Sequence, residues 1–336
     1  MARVLVGLAV LAVLAVLAGA DRPPKRWKAS LDDPPETRWA HIQSAYAEDI
    51  HTLAKEYAPD VPSWKQSMYA HLMDFGYLDE ELKIEMTTLA RIANITYSEA
   101  AFLNFMYEYN AYCTSVIVQL ANGTIIHGRN LDYPGTNLLR KTIVDVDVYR
   151  NQTLLWRMSW FPWYLGINTA VKPGLFSLSL NQRDQGSWTD NILALLHGYQ
   201  GNFFRSRTAL TTATSYEAAV NYLATANTVA ASYDIIASPS TGAIITRNRA
   251  STERIIPLPE GGWYLVETNH DWWLPDPVGD NRTATAEAYL NEIGQEAFGE
   301  DNMIELLSIY PVENPITVFT ALMVPETGYY RAIIRE

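Results

Sequence analysis

Apolar residues fall at helical spacing through the first third of the chain and at strand spacing after it. Trp39, Ile42, Tyr46, Ile50, Leu53 and Tyr57 recur at steps of three and four, one face of a helix that Pro59 ends. Trp64, Met68, Leu72 and Phe75 mark a second helix over 64–75, and two more are predicted near 79–92 and 98–110. In the last of these Ser98 is the expected N-cap, with Phe102, Phe105, Met106 and Tyr109 on one stripe. Ahead of the helices, residues 21–37 hold four prolines and read as an extended lead-in.

At Cys113 the pattern changes. Residues 114–120 are rich in β-branched side chains, Asn122-Gly123 is a two-residue hairpin signal, and 124–127 form the return. Strands are predicted at 142–149, 153–160 and 174–181. Helices follow near 189–199 and 214–226, the second opened by a capping box of Thr214 and Glu217. Strands at 232–237, 242–247 and 262–268, helices near 283–292 and 301–309, and strands at 316–323 and 328–334 complete the chain. Strands in hairpins and helices in pairs predict an α+β fold of largely antiparallel sheets with helices layered outside.

The first twenty residues read differently. A basic start at Arg3, an apolar run from Val4 to Leu17 and the small residues Ala18-Gly19-Ala20 predict a secretory signal over 1–20, cut after Ala20. Acceptors for N-linked glycan stand at Asn94, Asn122, Asn151 and Asn281, each followed two places on by Thr. The mature chain is expected to pass through the secretory pathway.

Composition narrows the function. The 336 residues carry 25 basic and 37 acidic groups, a net charge of -12 that disfavours nucleic acid as a partner. One cysteine, Cys113, excludes an intrachain disulfide and any multi-cysteine zinc or iron–sulfur centre. The six histidines show no metal-ligand spacing, and there is no G-x-S-x-G elbow, P-loop or dinucleotide fingerprint. No metal or cofactor is expected.

Chemistry concentrates where the texture breaks, in C-T-S-V-I-V-Q-L-A-N-G-T-I-I-H-G-R-N-L-D-Y-P from Cys113. A hairpin brings its two ends together, so Arg129 and Asp132 are expected beside Cys113. A guanidinium there favours the thiolate, and a carboxylate can orient the thiol or a nearby amine. An ordinary surface hairpin with solvated or paired Arg and Asp fits the spacing equally well. His127 is expected to pack in the hairpin.

The same run, with Lys172-Pro173-Gly174-Leu175-Phe176-Ser177, Ile245-Thr246-Arg247-Asn248-Arg249, Glu267-Thr268-Asn269-His270-Asp271 and Asp280-Asn281-Arg282-Thr283, resembles the acid ceramidase and N-acylethanolamine acid amidase family. These are lysosomal N-terminal-nucleophile (Ntn) cysteine hydrolases, similar in fold to choloylglycine hydrolases. H-G-R-N-L-D-Y-P followed by N-L-L-R-K is closer to the acylethanolamine branch. The resemblance implies an αββα sandwich with an N-terminal helical subunit. It also implies a precursor that cuts itself between Tyr112 and Cys113, into a chain over 21–112 and a chain over 113–336 that stay together as a heterodimer.

In that reading Cys113 is the nucleophile and Arg129 and Asp132 position it. Asn269 supplies the oxyanion hole, and Arg282 is a polar site residue near the amine. One departure stands out: where relatives carry Glu beside Arg, this chain has Asn181-Gln182-Arg183. Gln182 can hydrogen-bond but cannot ionise. The implied substrate is a fatty-acid amide lipid, an N-acylethanolamine or, as the alternative, ceramide, hydrolysed at acid pH. A non-catalytic lipid-binding glycoprotein is the reading from another class. The aromatic run Trp156, Trp160, Phe161, Trp163 and Tyr164 could line an acyl slot or serve as core. The 64–77 segment is a candidate for peripheral membrane contact.

Overall fold

The computed structural model describes residues 20–57, 62–76, 78–106 and 112–336. The predicted signal over 1–20, all but Ala20, together with Pro59, Tyr77 and Tyr109, lies outside the described residues.

Two sheets face one another. The larger has the order β1 (Lys25–Ser30), β4 (Val144–Arg150), β5 (Thr153–Trp160), β6 (Thr169–Lys172), β7 (Phe176–Gln182), β8 (Ser232–Ala237), β9 (Gly242–Arg247), β10 (Thr252–Pro257). The smaller has the order β11 (Tyr264–Glu267), β2 (Tyr112–Gln119), β3 (Ile125–Asp132), β12 (Thr317–Val324), β13 (Tyr329–Ile334). Every pairing is antiparallel except β1 with β4.

Helices precede and flank the sheets. Before Cys113 come α1 (Pro35–Arg38), α2 (Ala40–Ala45), α3 (Ala47–Tyr57), α4 (Ser63–Gly76), α5 (Glu80–Ala93) and α6 (Tyr97–Met106). After it come α7 (Thr136–Thr142), α8 (Trp188–Leu196), α9 (Asn202–Thr212), α10 (Tyr216–Thr225), α11 (Arg282–Ile293) and α12 (Glu300–Leu306).

Strand alternation sorts the side chains into layers. In β2, Val116 and Val118 face outward onto Ala286 and Leu290 of α11 and Met303 and Leu306 of α12. Cys113, Ser115 and Ile117 face the other sheet, where Ser115 meets Ser179 and Asn181 of β7. Outside the larger sheet, Val146, Trp156, Met158 and Ile236 pack on Ala209 and Leu210 of α9 and Leu223 of α10. Gly128 lets α12 seat on the smaller sheet, because a Cβ there would fall 2.4 Å from Met303 Sδ.

Several boundaries differ from expectation. The helix expected over 39–57 is broken at Tyr46, whose φ of -122° leaves the helical region, so α2 and α3 are separate. The cap of α6 is Thr96, not Ser98: Thr96 Oγ1 accepts from Glu99 N–H and Glu99 Oε2 accepts from Thr96 N–H, a capping box. Ser215, not Thr214, caps α10 by accepting from Ala218 N–H at 3.1 Å. The lead-in contains β1, paired over six residues with β4, so the segment before Cys113 is not wholly helical. Its Lys- and Arg-rich sequence suits a sheet edge, where backbone pairing and not an apolar face supplies the contact. The strands β6 and β10 and the helices α7 and α9 have no counterpart in the apolar pattern.

Candidate active site

The hairpin β2–β3 pairs Cys113 with Leu131 and Ser115 with Arg129. Odd-numbered side chains of both strands face the sandwich interior, which places Arg129 on the same face as the thiol. Its Nη2 donates to Cys113 Sγ at 3.1 Å. The guanidinium is fully buried and anchored by the carbonyls of Asn168 (2.8 Å) and Leu180 (3.2 Å) and by Thr169 Oγ1. Through Nη2 this guanidinium places positive charge at the sulfur.

Asp132 reaches the thiol through its backbone. Its carboxylate accepts from Thr317 Oγ1 at 2.7 Å and Asn314 Nδ2 at 2.8 Å. Alternation explains this, since an even-numbered residue of β3 points away from the Cys113 side. Burial pushes Asp132 up to about 6. Burial also pushes the Cys113 thiol up; Arg129 pulls it down and Asp132 opposes Arg129. The guanidinium therefore does not win while the thiol is enclosed, and the sulfur stays protonated.

The backbone of Cys113 is held as firmly as its side chain. Asn269 Oδ1 accepts from Cys113 N–H at 2.5 Å. Arg282 Nη1 donates to Cys113 carbonyl at 2.8 Å and to Asn269 Oδ1 at 3.2 Å. Arg282 Nη2 donates to the Thr268 carbonyl at 2.6 Å, and Asp280 pairs with the same guanidinium at 2.7 Å. Asn269 Nδ2 donates one of its two hydrogens to the Gln182 carbonyl at 2.8 Å. Asn269 adopts a left-handed backbone, φ 73°, which Asn tolerates better than most residues.

Tyr112, Gln182, Asp184, Thr268, Asn269, Pro277, Asp280 and Arg282 enclose a cavity of about 310 Å³ directly over this centre. Tyr112 is half-exposed while Cys113 is fully buried. Gln182 thus lies in the site, at the cavity wall. His127 is buried, bonded to Ser177 and Ser179 of β7, and pushed down to about 3 by burial.

The aromatic run is split between layers. Phe161, Trp163 and Tyr164 belong to the core cluster that contains Cys113 and Leu131. Trp156 and Trp160 point to the opposite side of their sheet, against Trp39 and the outer helices, and cannot share one slot with the others. The four glycan acceptors Asn94, Asn122, Asn151 and Asn281 are all exposed, three at turns or a helix end and Asn281 at the start of α11.

Sequence reasoning passed over Glu267. It precedes Asn269 by two residues, its Oε1 accepts from Asn269 N–H at 2.6 Å, and its other oxygen accepts from Asn181 Nδ2. Its place in Glu267-Thr268-Asn269 was the available signal.

Two facing sheets flanked by helices, with a cysteine at the first residues of a central strand and its nitrogen, sulfur and carbonyl each held by polar side chains, define an Ntn cysteine-type amide hydrolase. No family model matches the chain. It is 34% identical over 329 residues to the N-acylethanolamine-hydrolyzing acid amidase of Rattus norvegicus, covering 95% of this chain and 91% of that protein. The Caenorhabditis elegans protein of the same description is 34% identical over 334 residues, covering 94% of each. Acid ceramidase of Homo sapiens is 31% identical over 341 residues, covering 91% and 85%. A solved Caenorhabditis elegans ortholog of the acid amidase superposes with TM-score 0.57 and 39% identity, over 63% of this chain and 93% of that one. The chain belongs to the family of N-acylethanolamine-hydrolyzing acid amidases and acid ceramidases, and it has the Ntn-hydrolase fold.

Proposed function

We propose that the protein is a lysosomal lipid amidase that hydrolyses N-acylethanolamines to a fatty acid and ethanolamine at acid pH. The observation that carries this reading is the three-sided grip on Cys113. Arg129 meets its sulfur, Asn269 its nitrogen and Arg282 its carbonyl. The cavity over the centre offers a small hydroxylated amine the polar side chains of Gln182, Asp184, Thr268 and Asp280. The relatives named as acylethanolamine amidases, at 33–34% identity, support that amine over sphingosine.

Activation begins with the Tyr112–Cys113 bond. The thiol attacks the Tyr112 carbonyl, the peptide C–N bond breaks, and a thioester and a free α-amine form. Water then releases the Tyr112 carboxylate and restores the thiol. The new amine takes the thiol proton, and the thiolate attacks the amide carbonyl of the substrate. Burial and Arg129 hold that amine below its usual pKa of about 8, so it is available as a base in an acid compartment. Asn269 keeps its Oδ1 on the new amine, which still carries N–H donors, and offers an amide N–H to the oxyanion. The amine passes its proton to the leaving ethanolamine, and water hydrolyses the acyl-thioester. Phe161, Trp163 and Tyr164 line the acyl side, and Gln182 orients the substrate without exchanging protons.

The two chains stay together without a disulfide. Strand β1 remains paired with β4, and Arg207 of α9 grips the buried Glu85 of α5 at 2.6 and 2.7 Å. A rim of exposed Trp64 on α4 and Trp188, Leu193 and Leu196 on α8 provides peripheral contact with membrane lipid. Glycan at the four acceptors accompanies passage through the secretory pathway.

Incubating purified protein at acid pH, followed by denaturing electrophoresis and assays with an N-acylethanolamine and a ceramide, tests the reading. Two chains meeting at residue 113 and preferred turnover of the acylethanolamine are expected, both lost in Cys113→Ala. A protein that stays intact yet hydrolyses amide rules out the N-terminal nucleophile. Faster ceramide turnover moves it to the other branch.

A further inference from the structure

A chain of buried side chains crosses the interior of the sandwich from His127 to the nucleophile. Ser177 and Ser179 flank the two ring nitrogens of His127, each at 2.9 Å. Ser179 Oγ meets Ser115 Oγ at 2.8 Å, and Ser115 Oγ meets Asn181 Oδ1 at 3.0 Å. Asn181 Nδ2 meets the carboxyl of Glu267, whose other oxygen holds Asn269 N–H at 2.6 Å. Asn269 in turn accepts from Cys113 N–H. All these side chains from His127 to Glu267 are buried.

Such a chain has a direction. A neutral imidazole offers one donor and one acceptor, and each hydroxyl passes on one hydrogen. With Nε2 of His127 donating, the hydrogens run through Ser179 and Ser115 into Asn181 Oδ1. Asn181 Nδ2 is then left to donate to Glu267, an arrangement that a carboxylate accepts best because both of its oxygens are free to accept. With the other tautomer, every bond reverses. The Asn181 amide turns over, donates to Ser115 and accepts from a neutral Glu267 carboxyl. This second pattern gives up the 3.2 Å bond from Asn181 Nδ2 to the Glu267 carbonyl and satisfies the rest.

We propose that Glu267 is a positioning residue of the site. Its carboxyl sets the direction of this buried chain, and in the neutral pattern it holds Asn269 against the Cys113 nitrogen without placing a negative charge beside it. The inference rests on the amidase reading only for its effect on rate. Other groups facing Glu267 are Arg282 of α11, Asp271, and Tyr233 of β8, whose Oη donates to Asp271 at 2.8 Å. Asp271 is neutralised by Arg183 at 2.6 Å and Arg282 by Asp280 at 2.7 Å. Among the described residues Glu267 therefore forms no ion pair of its own. Burial pushes it up to about 8. A cavity of about 240 Å³, lined by Glu267, Thr246 and His270 and rimmed by exposed Trp272, provides the route for its proton.

A carboxylate here places a negative charge beside the site that opposes formation of the thiolate and of the oxyanion. Activity is thus expected to fall as pH rises through the ionisation of Glu267. Glu267→Gln accepts from Asn269 and donates to the reversed Asn181 at every pH. It is expected to keep activity within about threefold at acid pH and to move the basic limb of kcat/KM up by about one pH unit or more. Glu267→Ala is expected to lose about tenfold in kcat at all pH with KM within about twofold.

A readout independent of activity is the midpoint of thermal unfolding of wild type and Glu267→Gln between pH 5 and pH 9. The wild type is expected to lose ground to the Gln variant as pH rises. A constant difference between the two, or an unmoved basic limb, overturns the proposal. If the wild type hydrolyses no amide while the midpoints still diverge, the amidase reading fails and the assignment of Glu267 stands.

Discussion

At the scale of single residues, the site is a set of polar groups each with a defined partner, and substitutions have unequal consequences. Arg129 is held by two carbonyls and a hydroxyl in addition to the thiol. Arg129→Met is therefore expected to leave buried acceptors unpaired and to lower stability by about 3 kcal/mol, with activity lost. Chemical denaturation of the intact chain measures the first, and an amide assay the second. Asn269→Ala is expected to fold, to cut itself slowly and to lose about 10²- to 10³-fold in kcat, as removal of one oxyanion donor does elsewhere. Single-turnover assays on the cleaved protein separate these effects. A loss confined to KM would assign Asn269 to substrate binding instead.

Among the elements, helix α9 carries charge into the core where apolar side chains would be expected. Arg205 pairs with Asp234 of β8 at 2.6 Å, both fully buried, and also donates to the carbonyl of Leu223 in α10. Arg247 of β9 donates to the carbonyls of Ala224 and Ala226, tying the end of α10 to the sheet. Asp234→Ala leaves two buried guanidiniums without a carboxylate, and a loss of about 3–5 kcal/mol is expected by chemical denaturation. A loss below about 1 kcal/mol would show that solvent reaches the cluster. These charges also explain why α9 was invisible in the sequence. Asn202–Thr212 has polar side chains on its buried face, so no apolar stripe forms. Strand β10 escaped for the opposite reason, being mostly exposed with no alternation to read.

For the whole molecule, pH is the expected control. Asp132 and Asp145 each sit at about 6, and Glu267 at about 8, all raised by burial above the unfolded values. A carboxyl raised in this way favours the fold fully below its unfolded pKa, and that contribution is lost as pH rises through the folded pKa. Unfolding is therefore expected at higher temperature near pH 5 than near pH 8, with Asp132 and Asp145 each contributing roughly 1.5 kcal/mol to that difference. Calorimetry across that range checks the sign; a higher midpoint at pH 8 would contradict it. The net charge of -12 acts in the same direction, since acid relieves its self-repulsion. Trp64→Ser with Trp188→Ser is expected to weaken flotation with anionic vesicles at acid pH and leave turnover of a water-soluble amide unchanged. Undiminished flotation would remove α4 and α8 from the membrane contact.

The local code was sufficient for the hairpin and for the abrupt passage from helix to strand at Cys113. Asn122-Gly123 turns the chain, alternation puts Arg129 on the face of the thiol, and the period of each segment needs no distant partner. The antiparallel sheets with helices outside were legible for the same reason. What depended on tertiary structure was every contact made across the sandwich. The carboxylate of Asp132 turns to Thr317 and Asn314, nearly two hundred residues away in sequence. The thiol is kept neutral by burial, which a linear pattern does not contain. Trp156 and Trp160 are parted from Phe161 because the sheet has two sides and both are covered. Glu267 gains its place only when β11 pairs with β2 and Asn181 arrives from the opposing sheet. Spacing along a chain encodes which face a side chain takes, whereas the partner waiting on that face is set by packing.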